Sequence, residues 1–241
     1  MSSIPVESTP AETKLAQAFS RMGEGARPSD FARRETAFRA FQTLGIPGSK
    51  VEEFKYTDLR ERIGDIPPPA GPSDDKRNAS ILSRESAFED IPAYRFSFVD
   101  GRLARREPVG NGDSTPFVET ESWSGALSRG DADISLLDGV KGLKDNALYQ
   151  LNSALRTPDD PALNLNIVRV RAGARLEKPL HFRFCTGEAA VTAATRVAVV
   201  VEDGASATIL ESHEGAGDAA HFLDDVFLLR LGRGARVTHV R

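Results

Sequence analysis

The apolar residues in the first quarter of the chain recur at helical spacing. Residues 9–12 (TPAE) place a capping threonine before a proline and put a glutamate at the third helical position, which is typical of a helix start. We predict a first helix that ends at Gly23 and buries Leu15, Ala18, Phe19 and Met22. A second helix is predicted from Ser29 to residues 45–48 (GIPG), with one face formed by Phe31, Phe38, Phe41 and Leu44. A third short element covers residues 51–63.

The pattern then changes. Residues 67–75 (PPPAGPSDD) cannot form the interior of a helix or a sheet, so they predict a linker or an exposed loop. Residues 94–99 (YRFSFV) predict a strand, and the Asp100-Gly101 pair that follows predicts a turn of the hairpin type. Residues 143–155 predict a helix that is closed by Thr157-Pro158.

From about residue 162 the apolar positions alternate, as they do in strands. Leu163, Leu165 and Ile167 form one set, and Val168 and Val170 are out of phase with it, which predicts a bend or a bulge. The period of two returns further along the chain, first in Val197, Val199 and Val201 and then in Phe227, Leu229 and Leu231.

Three glycine-alanine turns recur in this region at a nearly fixed interval. Their glycines are Gly173, Gly204 and Gly234, which are 31 and 30 residues apart (204 − 173 and 234 − 204). A period in this range is typical of a solenoid, in which units too small to bury their own apolar face are stacked. We therefore expect the three turns to lie along one corner. An antiparallel sandwich with similar hairpins is the alternative.

Composition narrows the classes of function. Lys and Arg number 31 and Asp and Glu number 35, for a formal net charge of −4, and both signs are spread along the chain, so no basic face predicts a nucleic-acid partner. No run of about 18 apolar residues predicts a membrane span, and the first residues lack the pattern of a secretory signal. We therefore expect a cytoplasmic protein that binds neither nucleic acid nor membrane. The one cysteine, Cys185, allows neither an internal disulfide nor a thiolate metal cage.

Three stretches of the chain carry motifs of a known family. Residues 47–59 (PGSKVEEFKYTDL) contain glycine and proline, lysine, glutamates, an aromatic residue, Lys-Tyr-Thr and leucine in that order. They are similar to the N-terminal signature of the SufD family, with Phe54 where tryptophan is commoner. Residues 147–155 (ALYQLNSAL) resemble the Leu-Asn-x-Ala element that precedes the family's β-helix. The glycine-alanine turns and residues 196–211 resemble that β-helix itself, so the resemblance covers about residues 30–241.

The resemblance implies a fold and a role. It implies an α+β protein in which a helical region is followed by a right-handed parallel β-helix, and a non-enzymatic scaffold of Suf iron–sulfur cluster assembly. SufB is the expected partner through the β-helix, and the ATPase SufC is the partner of a C-terminal helical domain. The cluster is handled by the complex, so no cofactor is expected on this chain. The family's functional histidine has no counterpart here, so no catalytic, cofactor-binding or metal residue is carried over.

The expected organisation has three segments. They are a helical region with a proline-rich linker (1–75), a mixed α/β connecting region (76–160) and the first coils of the β-helix (161–241). The third turn unit stops within an apolar strand pattern at residues 238–241, so we expect a truncated β-helix whose end is covered by further residues or by a second copy in a homo-oligomer. The alternative function is a β-solenoid enzyme that acts on carbohydrates, or another β-helix binding protein.

Several polar residues suggest chemistry that their context does not favour. A segment with mixed charges and apolar residues between them predicts docking rather than acid/base catalysis; its charged members are Glu52, Glu53, Lys55 and Asp58. Cys185 would share a strand face with His181 and Arg183, which would suit an activated thiol, but a partly buried side chain is the favoured interpretation.

Further candidates concern metals and nucleotides. A possible metal-ligand set is better explained as a solvated acidic loop; it comprises His213, Glu214, His221, Asp224 and Asp225. His239 is predicted to point the same way as Val237, as a satisfied core or edge histidine. Residues 23–25 (GEG) do not complete a dinucleotide fingerprint, and no phosphate-binding loop with Gly-Lys-Ser/Thr occurs. We therefore expect neither ATPase nor desulfurase activity.

Overall fold

Helices precede and flank two β-sheets in this protein. The computed structural model describes residues 8–23, 28–71, 74–107, 117–138, 140, 142–156, 166–215 and 217–241. The helices are α1 (Pro10–Gly23), α2 (Pro28–Leu44), α3 (Leu59–Arg62), α4 (Asp75–Leu82), α5 (Trp123–Ser128), α6 (Ala132–Asp138) and α7 (Ala147–Leu155). The strands are β1 (Tyr94–Val99), β2 (Arg102–Glu107), β3 (Val118–Glu121), β4 (Ile167–Val170), β5 (Leu180–Cys185), β6 (Val191–Val201), β7 (Ser206–Glu214), β8 (His221–Leu231) and β9 (Arg236–Val240).

The first two predicted helices are confirmed, together with the start signal of α1. The Thr9 amide donates to the Glu12 carboxylate at 2.7 Å, and the Glu12 amide donates to the Thr9 hydroxyl at 3.1 Å. Each side chain therefore satisfies a backbone amide at the helix start that has no partner within the helix. Phe19 of α1 stacks on Phe38 of α2 with ring centroids 4.3 Å apart. Phe38 and Phe41 of the predicted apolar face are buried, whereas Leu44, at the end of α2, is 46% exposed.

Two predicted elements are each divided into two pieces by a capping residue. The element predicted over residues 51–63 is a 3₁₀ turn (Glu52–Phe54) followed by α3, with Asp58 as the cap between them. The helix predicted over residues 143–155 is likewise divided into a 3₁₀ turn (Leu143–Asp145) and α7. Asn146 causes this second division, because its side chain accepts from the Tyr149 amide and caps α7.

Residues 67–71 of the proline-rich segment belong to no helix and no named strand, in agreement with the loop prediction, but they are not a free linker. They lie beside the first half of β6 and pair with Thr192 in the parallel direction. The Thr192 amide donates to the Pro68 carbonyl at 2.8 Å, and the Ala70 amide donates to the Thr192 carbonyl at 2.9 Å. Proline is compatible with this place because only one side of the segment pairs with a strand.

The strands form two separate mixed sheets. The five-stranded sheet has the order β2-β1-β5-β7-β9, and the four-stranded sheet has the order β3-β4-β6-β8. Among the described strands, only the β1–β2 and β3–β4 pairs are antiparallel. Each of the parallel pairs β4–β6, β5–β7, β6–β8 and β7–β9 joins residues about one sequence repeat apart, such as Val191 with His221 and Ser206 with Arg236.

The three glycine-alanine turns lie along one corner, as predicted. The Gly173 amide donates to the Asp203 carbonyl at 2.9 Å, and the Gly204 amide donates to the Arg233 carbonyl at 2.9 Å. Each glycine has a φ near +70°, a conformation that a residue with a Cβ rarely adopts. The Asp100-Gly101 hairpin turn is also confirmed, with φ values of 47° and 82°.

The main core lies between the two sheets, and a second layer lies outside the four-stranded sheet. Val168 and Val170 face the inner core, whereas Ile167 packs under α5 and α6 with Trp123 and Ile134. The out-of-phase valines therefore mark a strand that is buried on both faces. The bulge predicted near Val168 does not occur within β4, which pairs with both neighbours without a break in register.

The N-terminal helices share a core with α7. Phe41 of α2 and Leu151 of α7 belong to one apolar cluster, which also includes Ile66 and reaches Ala194 of β6. No helix in the described ranges is both long and apolar enough to cross a membrane. Several predicted features lie outside those ranges, namely residues 24–25, 72–73, 157–158 and 163–165.

Candidate functional site

The inward-facing positions of the main core become polar at one end. Ile209 of β7 faces the core, so strand alternation places Glu211 and His213 on the same face. Asp225 of β8 and His239 of β9 meet them there. We call Glu211, His213, Asp225 and His239 the Glu211 cluster.

Glu211 is the centre of this cluster and is only 5% exposed. Its Oε1 atom lies 2.8 Å from His213 Nε2, and its Oε2 atom lies 2.9 Å from His239 Nε2. Arg241 Nε lies 3.3 Å from Oε1. The other ring nitrogen of His213, Nδ1, faces Asp225 Oδ2 at 3.5 Å. The Glu211 carboxylate thus connects β7 to β9, and the His213 ring connects β7 to β8.

The two carboxyl groups of the cluster respond differently to their surroundings. Burial acts to raise the pKa of Glu211, but the hydrogen bond from His213 and the charge of Arg241 together hold it below its usual range. The pKa of Asp225 is raised, mainly because burial disfavours its charged form, despite a hydrogen bond from Thr195. Glu211 is therefore the more stable anion of the two.

A cleft of about 530 Å³ opens onto the cluster, and aromatic rings cover its histidines. The rings of Phe184 and His213 stack with centroids 4.9 Å apart, and those of Phe227 and His239 lie 5.0 Å apart. Both histidines already bind Glu211, so neither is placed to activate a nucleophile. The arrangement is suited to holding β7, β8 and β9 together through hydrogen bonds and charged contacts.

The residues considered as metal ligands are separated by the fold. Glu214 and Asp224 point to the outer faces of their sheets, whereas His213 and Asp225 point inward. His221 Nε2 lies near the carbonyls of residues 187 and 189 instead. In the ranges that the structure describes, no three His, Cys, Asp or Glu side chains are grouped as metal ligands. The solvated-loop interpretation is wrong for all five residues, because His213 and Glu214 lie in β7 and His221, Asp224 and Asp225 lie in β8.

A polar network is buried on the outer face of the five-stranded sheet. His181 is 0% exposed; its Nδ1 atom accepts from Arg95 Nε at 3.2 Å, and its Nε2 atom lies 2.9 Å from the Ser212 hydroxyl. Ser212 and Ser86 both donate to Glu214 at 2.8 Å. Burial and the Arg95 charge lower the pKa of His181 to about 4, so this histidine is neutral at physiological pH.

Cys185 shares this face with His181 and Arg183, as predicted, but the thiol is not activated. It is 4% exposed, and its sulfur lies 3.9 Å from the Glu214 carboxylate. Burial raises the pKa of Cys185 to about 12, and Glu214 adds to this effect while Arg183 opposes it. Cys185 is a protonated core side chain, in agreement with the favoured interpretation.

Asn152, within the Leu-Asn-x-Ala element, attaches α7 to the four-stranded sheet. Its amide nitrogen donates to the Thr195 carbonyl at 2.9 Å and to the Asp224 carbonyl at 2.6 Å, so it binds two neighbouring strands. Its amide oxygen accepts from Arg196 Nε at 3.2 Å. The Arg196 guanidinium in turn lies 4.2 Å from the Tyr149 ring centroid. Asn152 is 0% exposed, which makes this a buried polar attachment.

The segment over residues 48–58 is a closed surface loop with an exposed aromatic tip. Its base is held by Asp58, which accepts from the Ser49 amide at 2.8 Å and from the Glu61 amide at 3.1 Å. Tyr56 is 90% exposed and Val51 is 41% exposed. Hydrogen bonds from the Ser49 and Glu61 amides lower the pKa of Asp58, so this carboxylate is a structural cap. The segment is exposed, and docking by it stays a prediction.

The chain is similar to SufD of Escherichia coli. The two sequences are 27% identical over 230 residues, which is 90% of this chain and 47% of "Iron-sulfur cluster assembly protein SufD" from strain K12. The chain therefore spans about half the length of this curated relative. No family model matches the chain. The similarity to SufD is distant, and it supports the resemblance that the sequence motifs indicate.

The sequence motifs include the surface loop and α7, but they do not point to Glu211, the centre of the Glu211 cluster. Glu211 enters those motifs only as the end of a stretch that resembles a β-helix. Alternation from Ala207 and Ile209 is the signal that could have found it, because it places Glu211 on the buried face. The residues of the Glu211 cluster come from three strands, β7, β8 and β9, which local sequence patterns do not bring together.

Proposed function

We propose that this chain acts as a non-enzymatic scaffold subunit in Suf-type iron–sulfur cluster assembly. The observation that carries the proposal is the similarity to SufD, which extends over 90% of the chain rather than over one motif. The partners would be a SufB-like subunit and a SufC-like ATPase, in the cytoplasm. The cluster would be cargo of the complex, because the one thiol of this chain cannot hold it and is buried.

The proposal includes a right-handed parallel β-helix. Its support is the set of parallel pairs between strands one repeat apart, in two sheets that are connected through stacked turns. In such a fold the turn corner and the sheets continue from coil to coil. A partner subunit binds by pairing one of its strands with the strand at the edge of a sheet. Strands β8 and β9 are the last members of their sheets among the described residues.

The surface loop is the second element of the proposed scaffold. A tyrosine held 90% exposed on a loop with a fixed base presents a large contact area at low entropic cost. We propose that Tyr56 contacts a partner subunit. The carbohydrate-enzyme alternative finds less support, since α5 and α6 pack on the outer face of the four-stranded sheet and α4 covers part of the outer face of the five-stranded sheet.

Co-purification tests this function. The chain is co-expressed with the SufB-like and SufC-like subunits of its own organism, and a tag on this chain is used for anaerobic isolation. We expect both subunits in stoichiometric amounts, ATP hydrolysis only in samples that contain the SufC-like subunit, and iron and sulfide only in the complex. Recovery of the chain alone under these conditions, or binding to polysaccharide instead, would contradict the proposal.

A further inference from the structure

The segment that covers the outer face of the five-stranded sheet makes only a small apolar contact with it. This segment is residues 74–91, which comprise α4, its cap and the loop that leads towards β1. Ile81 and Leu82 of α4 pack against Val99 of β1 and Cys185 of β5. These four buried residues form a cluster of their own, separate from the core between the sheets, so little apolar area holds the segment in place.

A buried arginine of the sheet binds the C-terminal end of α4. The Arg183 side chain of β5 is 4% exposed. Its Nη1 atom donates to the Leu82 carbonyl at 3.1 Å, and its Nη2 atom donates to the Arg84 carbonyl at 2.9 Å. Leu82 is the last residue of α4, so no amide of the helix donates to its carbonyl. Arg183 therefore supplies donors that the end of the helix lacks, and its charge suits that end.

Glu214 of β7 is the counter-charge of this arginine and also contacts the covering segment. Its carboxylate pairs with Arg183 Nε and accepts from the hydroxyls of Ser86 and Ser212, each at 2.8 Å. Ser86 belongs to the loop that follows α4, so one carboxylate holds both the loop and the arginine that binds the helix end. Loss of its charge would leave a buried guanidinium without its ion pair, which is costly until water reaches it.

The other contacts of the segment are also mostly polar. Arg95 of β1 donates to the Phe88 carbonyl at 3.2 Å, and the Phe88 and His181 rings meet edge to face with centroids 5.3 Å apart. Two ion pairs lie along the border of the segment; they are Arg77 with Asp100 and Arg84 with Glu188. Polar contacts of this kind are replaced by contacts with water at a small net cost, whereas the core between the sheets has no such substitute.

We propose that residues 74–91 are a lid that opens as a unit from the outer face of the five-stranded sheet, and that the Arg183–Glu214 ion pair holds it closed. In the closed state Arg183 binds the end of α4 and the Cys185 thiol is buried. In the open state water takes the place of the α4 carbonyls around Arg183, and the thiol becomes accessible. This opening requires less free energy than separation of the sheets, because it exposes little apolar area.

Two independent probes measure this opening in the full chain. Hydrogen exchange of a peptide that covers residues 75–84 reports on α4, and alkylation by iodoacetamide reports on Cys185, which is the one cysteine of the sequence. Each rate, divided by that of the unfolded chain, gives an opening constant. We expect the two constants to agree within about threefold and to exceed that of a β6 peptide, residues 195–201, by at least about tenfold.

Glu214→Gln tests the ion pair, because it keeps the size of the side chain and removes its charge. We expect the opening constant of the α4 amides to rise at least about tenfold, with a smaller change in β6. The variant is assayed by hydrogen exchange alone, since Glu214 also lies 3.9 Å from the Cys185 sulfur. Glu188→Gln is the matched control: its pair with Arg84 involves the same segment, but the Glu188 side chain is 77% exposed. We expect it to change the constant by about twofold or less.

Three outcomes would overturn the proposal. In the native chain, constants for α4 and Cys185 that differ by more than about tenfold would show that the segment does not open as a unit. In the E214Q variant, unchanged α4 exchange would exclude the ion pair, and an equal rise in α4 and β6 would assign Glu214 to the stability of the whole fold. If E214Q does not fold, Ser86→Ala removes only the contact of the lid with Glu214, and unchanged α4 exchange in that variant would count equally against the proposal.

Discussion

The two ends of the inter-sheet core use equivalent inward-facing positions for different purposes. At one end, Phe96 of β1 stacks on Phe182 of β5 with ring centroids 5.1 Å apart, within a cluster of aromatic and aliphatic side chains. At the other end the same alternation along β7, β8 and β9 brings in Glu211, Asp225 and His239. The apolar end gains its stability from buried area and packing. The polar end depends on paired charges and hydrogen bonds, and it borders the open cleft.

The largest expected effect is at the apolar end. Phe182 is fully buried and contacts the rings of Phe96 and Phe227, so Phe182→Ala leaves a cavity and should lower the free energy of unfolding by about 3–5 kcal/mol. Urea denaturation followed by circular dichroism measures the change. Leu229→Ala is the matched control, because Leu229 lines the open cleft and is 37% exposed. It should cost about 1 kcal/mol or less, and equal losses for the two variants would refute the comparison.

A buried polar attachment outside the core should have the next largest effect. Asn152→Ala leaves the carbonyls of Thr195 and Asp224 without their donor, and we expect a loss of about 2–3 kcal/mol in the free energy of unfolding. Gln150→Ala on the same helix is the control and should change stability by about 0.5 kcal/mol or less. A neutral Asn152→Ala variant in the same urea experiment would show that α7 is held by its apolar contacts alone.

The buried histidine on the outer sheet face should give a smaller effect that depends on pH. The pKa of His181 is about 4 in the folded protein, against 6.5 for a solvent-exposed histidine, so the unfolded chain binds the proton more tightly. Its contribution is present above pH 6.5 and is lost as the pH falls towards 4. We expect a decrease of about 1–2 kcal/mol between pH 7 and pH 5.

Urea midpoints at the two pH values measure this decrease, with His181→Gln as the comparison. The glutamine cannot take up a proton, so the variant should be less stable at pH 7 yet lose less stability on acidification than the native chain does. The same slope in both proteins would assign the acid sensitivity to other groups.

The smallest effect on stability is expected at the surface loop. Tyr56→Ala removes a side chain that is 90% exposed, so the free energy of unfolding should change by about 0.5 kcal/mol or less. If the loop docks on a partner, co-purification with that partner should weaken at least about tenfold, because exposed aromatic anchors contribute on the order of 2 kcal/mol. Tyr56→Phe should retain most of the binding. A Tyr56→Ala variant that binds normally would exclude this loop from the interface.

The sequence by itself determined the local elements and their interval. The capping box of α1, the Asp100-Gly101 hairpin and the three glycine-alanine turns were readable because each depends on a few neighbouring residues with restricted backbone preferences. The interval between the turns also predicted their common corner, since equal spacing lets successive units stack.

Tertiary structure decided what those elements cover and which polar groups meet. The proline-rich segment became a partner of β6 because Thr192 offers it a free strand edge. The valines of β4 changed phase because helices bury its second face. The Glu211 cluster draws residues from β7, β8 and β9, which are far apart in sequence. Local propensity carries no information on such contacts, because they arise only when parallel strands from successive repeats are placed side by side.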